Sequence, residues 1–245
     1  MPEGCNPERF LYSKKRKVRG LNRIGEGSYG QVSRGCTTKG CTNQIAVKKS
    51  RDDMKEEFRI TRLAYGVAPK NVPAPYYVFK CRPYGNIMYS QFIPSKTLYN
   101  YRKITKKMLY EILKTVYKLN KSGIRHNDLH LNNILIEEGT HRPYIADFGF
   151  GETKNYTRDA KYDYHLFLNM VYTYIKDPKI NEFIRRVIPK QYLGKNTPMV
   201  KRYRLRNFSS YPGLPSLRKV LSNSYFRGKS KSGKSGRVKI NVHIQ

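Results

Sequence analysis

The sequence predicts an α+β fold in two parts, a β-rich first part followed by a helical second part. Residues 21–93 read as short β-type runs broken by Gly and Pro, with a single helical interruption. From Ile104 onward the apolar period changes to three and four, the signature of amphipathic helices. Hydrophobic residues make up 38% of the 245, with 21 Tyr and 10 Phe among the rings, which is enough to build a core and argues against wholesale disorder.

Taken in order, residues 1–20 form a basic leader containing Lys14-Lys15-Arg16-Lys17-Val18. That run reads either as a nuclear import signal or as the solvated lead-in to a strand. Leu21 to Ile24 is strand-like and runs into Gly25-Glu26-Gly27-Ser28-Tyr29-Gly30-Gln31-Val32; Gln44 to Lys48 is a second strand ending in lysine. Asp53 to Ala64 is the helical interruption, with Asp53 as cap and Glu56 bonding back to it as a capping box. Ile104, Met108, Leu109, Ile112, Leu113, Val116 and Leu119 share one helical face, and Gly123 closes that helix. Leu166, Phe167, Met170, Val171, Tyr174 and Ile175 form the next, with Asp163 as the expected N-cap and Pro178 beyond its end. Ile180, Phe183, Ile184, Val187 and Ile188 form a third that stops at Pro189.

Lys and Arg number 49 against 17 Asp and Glu, a formal charge of +32. Such a balance speaks of polyanionic partners and of solubility, and leaves the fold open. No acid follows Glu182, whereas Lys195 to Gln245 carries 13 cations interleaved with rings such as Tyr203, Phe208, Tyr211, Tyr225 and Phe226. Cations with stacking rings suit nonspecific nucleic-acid binding; acidic protein substrates would select the same charge, and the rings could equally pack on the helical part. Gly228 to Arg237 is low-complexity. No run of about 18 apolar residues occurs, so no membrane span is expected. Without an apolar stretch in Met1 to Phe10, the protein is expected inside the cell, in cytoplasm or nucleus, where Cys5, Cys36, Cys41 and Cys81 would stay thiols. Cys36 and Cys41 are the only pair close in sequence, at a spacing where a bridge or a shared metal is conceivable.

The Gly-rich stretch alone is ambiguous between a dinucleotide turn and a nucleotide-covering hairpin. A dinucleotide site needs a helix directly after the glycines, and here the chain continues into Gln44-Ile45-Ala46-Val47-Lys48. With Glu56 bonded back as the cap partner, Glu57 on the Ile60 and Ala64 face is the acid placed to reach Lys48, with Glu56 as the substitute. Further on, His126-Asn127-Asp128-Leu129-His130-Leu131-Asn132-Asn133 sets an Asp five residues before an Asn, and Asp147-Phe148-Gly149 follows.

These motifs in this order resemble the protein kinase superfamily over Leu21 to Ile175. The resemblance implies a two-lobed fold: a β-rich N-lobe and hinge over 21–93, a reduced helical C-lobe over 94–194, and a basic C-terminal segment over 195–245. It implies ATP and Mg2+ as cofactors. Ile24, Gly25, Glu26, Gly27, Ser28, Tyr29, Gly30, Gln31, Val32 and Ala46 would then surround the nucleotide, and Lys48, held by Glu57, would contact its phosphates. Asp128 would take the acceptor proton, while Asn133 and Asp147 would hold the metal. Ser90 aligns with the gatekeeper, so that Gln91 to Ile93 offer backbone groups to the adenine. His126 reads as a packed scaffold residue.

The chain also departs from the pattern. Asn127 replaces the usual Arg, removing the cation that meets an activation-loop phosphate, so Thr153, Tyr156 and Thr157 are expected to be dispensable. His130 stands where Ser/Thr kinases usually carry Lys. Only 16 positions separate Asp147 from Asp163 and none of them forms A-P-E, so the peptide platform must be reduced. With this economy the chain looks most like the compact Ser/Thr-type protein kinases of large nucleocytoplasmic DNA viruses, which implies a host-cell or virion location. The expected activity is phosphoryl transfer to Ser or Thr of protein substrates, acidic ones included. A small-molecule phosphotransferase and a pseudokinase scaffold binding nucleic acid are the alternatives.

Overall fold

The computed structural model describes residues 19–27, 30–38, 40–81, 85–157, 159–193 and 212–227. The Lys14 to Val18 run, Ser28, Tyr29, residues 194–211 and residues 228–245 lie outside the described residues. The architecture is the two-lobed α+β kinase-like fold: a five-stranded antiparallel sheet followed by a lobe of helices.

The sheet contains β1 (Arg19–Gly27), β2 (Gly30–Cys36), β3 (Gln44–Ser50), β4 (Pro75–Cys81) and β5 (Gly85–Gln91), in the order β1-β2-β3-β5-β4. Alternation in β3 turns Ile45 and Val47 into a small core with Ile87 and Tyr89 of β5. Gly30 is required where β2 leaves the turn, because a Cβ there would sit 2.2 Å from the Lys49 carbonyl oxygen. The β2–β3 connection brings Cys36 and Cys41 to a Cα separation of 4.9 Å, and they are joined in a disulfide. This corrects the expectation of thiols there. Cys41 in the left-handed region, φ 53°, folds the connection back far enough for the bridge.

Helix α1 (Lys55–Val67) crosses between β3 and β4, burying Glu57, Ile60, Thr61 and Ala64. Its start differs from the expected capping box. Asp53 accepts the Lys55 N–H at 2.9 Å, and Glu56 bonds the guanidinium of Arg59, whose two N–H groups outcompete a single backbone amide.

In the second lobe, β6 (Ser95–Thr97), β7 (Ile134–Glu137) and β8 (Pro143–Ile145) form a small antiparallel sheet, and α2 (Leu98–Tyr101) follows β6 directly. Helix α3 (Lys106–Lys121) is capped by Thr105, which accepts the Met108 N–H, and ends at Gly123 with φ 72°. Helices α4 (Tyr162–Tyr174), α5 (Pro178–Val187) and α6 (Leu217–Leu221) complete the lobe. Asp163 is not the cap of α4: it lies inside the first turn, after Lys161, because its carboxylate is taken up elsewhere.

The large core gathers α3, α4 and α5 together with Ile60, Ala64, Ala68 and Val72 from α1 and the chain after it. Part of the C-terminal segment belongs to it too: Leu214, Leu217 and Val220 are buried there. The Tyr225 ring stacks on Phe183 at 4.5 Å and the Phe226 ring meets it edge-on at 5.0 Å, so these two rings pack on the helical lobe. Among the described residues, no helix is long and apolar enough to cross a membrane.

Candidate active site

The site forms where β3, α1 and the chain around β7 and β8 converge. Lys48 follows the inward-facing Val47 on β3, and its Nζ lies 2.7 Å from Glu57 Oε1 and 2.9 Å from Asp147 Oδ1. Glu57 reaches it from the buried face of α1. Burial pulls the Lys48 ammonium down, but the two carboxylates together outweigh it and its pKa stands above the ordinary 10.5. For Glu57, burial is the largest influence and exceeds the pull of Lys48, which leaves its carboxyl above the ordinary 4.5.

Asp163 organises the loop before β7. Its Oδ2 accepts the His126 N–H at 2.8 Å and its Oδ1 the Asn127 N–H at 2.7 Å. Asn127 holds φ 62°, a conformation that asparagine tolerates better than most residues, and its Nδ2 donates to the Phe150 carbonyl at 3.1 Å. His126 is buried: Nε2–H donates to the Ala146 carbonyl at 2.9 Å, Nδ1 accepts the Asp128 N–H at 3.2 Å, and the ring packs 4.7 Å from Phe148. It therefore ties the loop to the Asp147-Phe148-Gly149 segment as a strut.

Asn133 Nδ2 donates to the Asp128 carbonyl at 2.8 Å, with Asp128 Oδ2 at 3.4 Å. The Ala146 N–H donates to the Asn133 carbonyl at 2.9 Å, so Asp147 leaves β8 beside Asn133. Asp147 itself has φ 63°, aiming its carboxylate back toward Lys48. His130 Nδ1 accepts the Asn132 N–H at 3.2 Å, which leaves Nε2–H facing Asp128 Oδ2 at 3.3 Å.

On the N-lobe side the β1–β2 pair sets Gly25 opposite Val32, Glu26 opposite Gln31 and Gly27 opposite Gly30. Ile24 is exposed, and Glu26 pairs with Arg23. A Cβ on Gly25 would meet no atom within 4 Å, so packing does not demand glycine there. Ala46 lies opposite Ser90, and Gln91 opposite Ile45, at the start of the connection to the second lobe. The Gln91 N–H donates to the Ala74 carbonyl at 2.8 Å. Ile93 is buried and its carbonyl accepts the Ser95 hydroxyl.

Two cations escaped the sequence reading. Arg59 Nη2 donates to Thr153 Oγ1 at 2.7 Å, and the Arg125 guanidinium lies 3.7 Å from the Tyr156 ring centre. The Tyr156 hydroxyl donates to the Gly123 carbonyl, and the Thr157 hydroxyl to Glu152. All three hydroxyls expected to be dispensable thus hold the segment in place. Residues this far apart in sequence leave no local signal of such contacts.

The family model for the protein kinase domain matches residues 18–174, more than half of the chain. The chain belongs to the protein kinase family. The kinase sheet, the Lys48–Glu57 pair and the loop carrying Asp128 all lie inside the matched span, whereas α5 and α6 lie beyond it. Membership makes this chain a phosphotransferase.

Proposed function

We propose that this kinase transfers the γ-phosphate of ATP to serine or threonine hydroxyls of protein substrates, with Mg2+ as the metal. The observation that carries the reading is Lys48 held between Glu57 and Asp147, with Asp128 and Asn133 on the facing loop. Lys48 would meet the nucleotide phosphates, and the open space around Gly25 leaves room for their approach. Asn133 and Asp147 offer hard oxygens, and among the described residues no cluster of three or more His, Cys, Asp or Glu could hold a metal alone. That donor set fits Mg2+, which is bound by one or two side chains plus substrate phosphates. When bound, the ion would neutralise phosphate charge.

In the transfer, the acceptor oxygen forms its bond to the γ-phosphorus while the bond to the ADP oxygen breaks. ADP leaves with that electron pair, and the acceptor proton passes to the Asp128 carboxylate. The Asn133 bond to the Asp128 carbonyl and the His130 contact to Oδ2 keep that carboxylate oriented. The abbreviated segment and the compact C-lobe support placing the protein near the small viral kinases. Retention of Lys48, Glu57, Asp128, Asn133 and Asp147 argues against a pseudokinase.

A polyanionic partner is favoured by one further feature. Arg185, Arg186, Lys190 and Lys219 line a cleft of about 330 Å³ between α5 and α6, at the start of the acid-free part of the chain.

The test of the main reading is incubation of wild type and Asp128→Asn with labelled ATP, a protein mixture and a panel of small alcohols. Phosphoserine and phosphothreonine, formed by wild type alone, are expected. Label confined to small molecules, or to tyrosine, would overturn the reading.

A further inference from the structure

Helix α4 presents Tyr162, Leu166, Met170 and Tyr174 four residues apart, a spacing that sets them in one line about 18 Å long. With Tyr99 of α2 and with Asp128 itself, this line borders a cleft of about 320 Å³. At its outer end the Tyr99 and Tyr174 rings meet edge to face, 5.8 Å between centres, yet they stay 40% and 48% exposed. Single exposed apolar residues are ordinary; Tyr162 and Leu166 are buried, and the group of Met170, Tyr174 and Tyr99 left accessible in the cleft that Asp128 borders is a binding feature. In the short segment after Asp147, Thr153 bonds Arg59, Tyr156 bonds the Gly123 carbonyl and Thr157 bonds Glu152, none of which lines this cleft.

We propose that this cleft selects the phosphoacceptor substrate by a large apolar side chain, Leu, Met or Phe, two or three residues from the hydroxyl. The inference rests on the protein-kinase reading and adds the substrate class to it. The occupant follows from the lining: a chain that sets its hydroxyl at Asp128 must pass over the cleft that Asp128 borders. Two or three extended residues span about 7–10 Å, well within the length of the α4 line. His130 and Asn132 line the cleft together with Asp128, and Met170, Tyr174 and Tyr99 supply the apolar surface that receives the side chain. Methionine there adapts to several apolar shapes, whereas a charged side chain would lose its hydration against two rings and a thioether.

The experiment uses the full chain, ATP and a peptide array with one Ser, in which each of the four positions on either side is replaced in turn. Expected is a kcat/KM higher on the order of tenfold to a hundredfold for Leu, Met or Phe over Ala at one position within three residues of the Ser. That ratio should fall toward one in Met170→Glu and in Tyr174→Ala, and persist in Met170→Leu. A flat profile over all positions in wild type, with peptides well labelled, overturns this inference alone. So does a ratio that survives both Met170→Glu and Tyr174→Ala. Labelling of alcohols and of no peptide overturns both this inference and the protein-kinase reading.

Discussion

Lys48 joins acids that sit 9 and 99 positions away in sequence, and the two partners have different origins in the reading. Glu57 could be named beforehand because helical spacing puts it on the face of Ile60 and Ala64; the structure sets its Oε1 at 2.7 Å from Lys48 Nζ. Asp147 could be named only by its Phe-Gly neighbours, since no local pattern shows that a positive φ turns its carboxylate toward β3. Arg59 and Asp163 show the limit. Arg59 looks like any surface cation on a helix until the distant Thr153 hydroxyl accepts its bond, and Asp163 like a cap until two distant backbone amides donate to it. The different duties of the two site aspartates make a residue-scale prediction. Asp128→Asn should lower kcat by about 10²–10⁴-fold and leave nucleotide affinity close to wild type. Asp147→Asn should weaken Mg-ATP binding as well, which equilibrium titration with the nucleotide would show.

Two elements carry predictions of their own. The disulfide closes the short loop 36–41 between β2 and β3. Constraining so small a loop in the unfolded chain stabilises by about 2 kcal/mol in the chain-entropy account. Cys36→Ser should therefore lower the denaturant midpoint measured without reductant, and a reducing agent should bring wild type down to the same value. On α4, His165 is buried and its Nε2–H donates to the Tyr192 carbonyl at 2.9 Å. Burial outweighs that bond and holds its pKa below the ordinary 6.5. The unfolded chain thus binds the proton more readily, so this contribution to stability is full above pH 6.5 and is lost as pH falls below it. Urea midpoints at pH 7.5 and 5.0 should differ less in His165→Gln than in wild type. Helix existence was legible from apolar spacing, as in α3 and α5. Helix starts were not, because the capping-box reading of Glu56 and the cap reading of Asp163 assumed that a carboxylate bonds the nearest amide. The disulfide was hidden because cysteine spacing says nothing of how sharply a hairpin turns.

For the molecule as a whole, the balance of two lobes was legible because the change of period from two to 3.6 falls between them. The role of the C-terminal segment was less so, since Tyr225 and Phe226 carry the same letters whether they stack on bases or on Phe183. Its charge still gives an expectation. If about six cations meet phosphates, affinity for duplex DNA should fall on the order of a thousandfold between 50 and 200 mM salt. Replacing Arg185, Lys190 and Lys219 by Ala should flatten the salt slope by about one unit per contact removed, as read by fluorescence anisotropy. Binding that ignores salt would leave acidic protein substrates as the reason for the charge. Last, the division of the core has a consequence in time. Among the described residues the sheet's own cluster has four buried members, Ile45, Val47, Ile87 and Tyr89, with Tyr76 and Phe79 packed on it, whereas Ile60 and Ala64, one and two turns from Glu57, are anchored in the large one. Transient openings should therefore free the β3 and β5 amides while α1 stays docked, so that the Lys48–Glu57 pair breaks from the lysine side. Native-state hydrogen exchange should show the β3 and β5 amides exchanging sooner than those of α3 and α4, and a bound nucleotide, gripping Lys48, should slow the sheet far more than the helices.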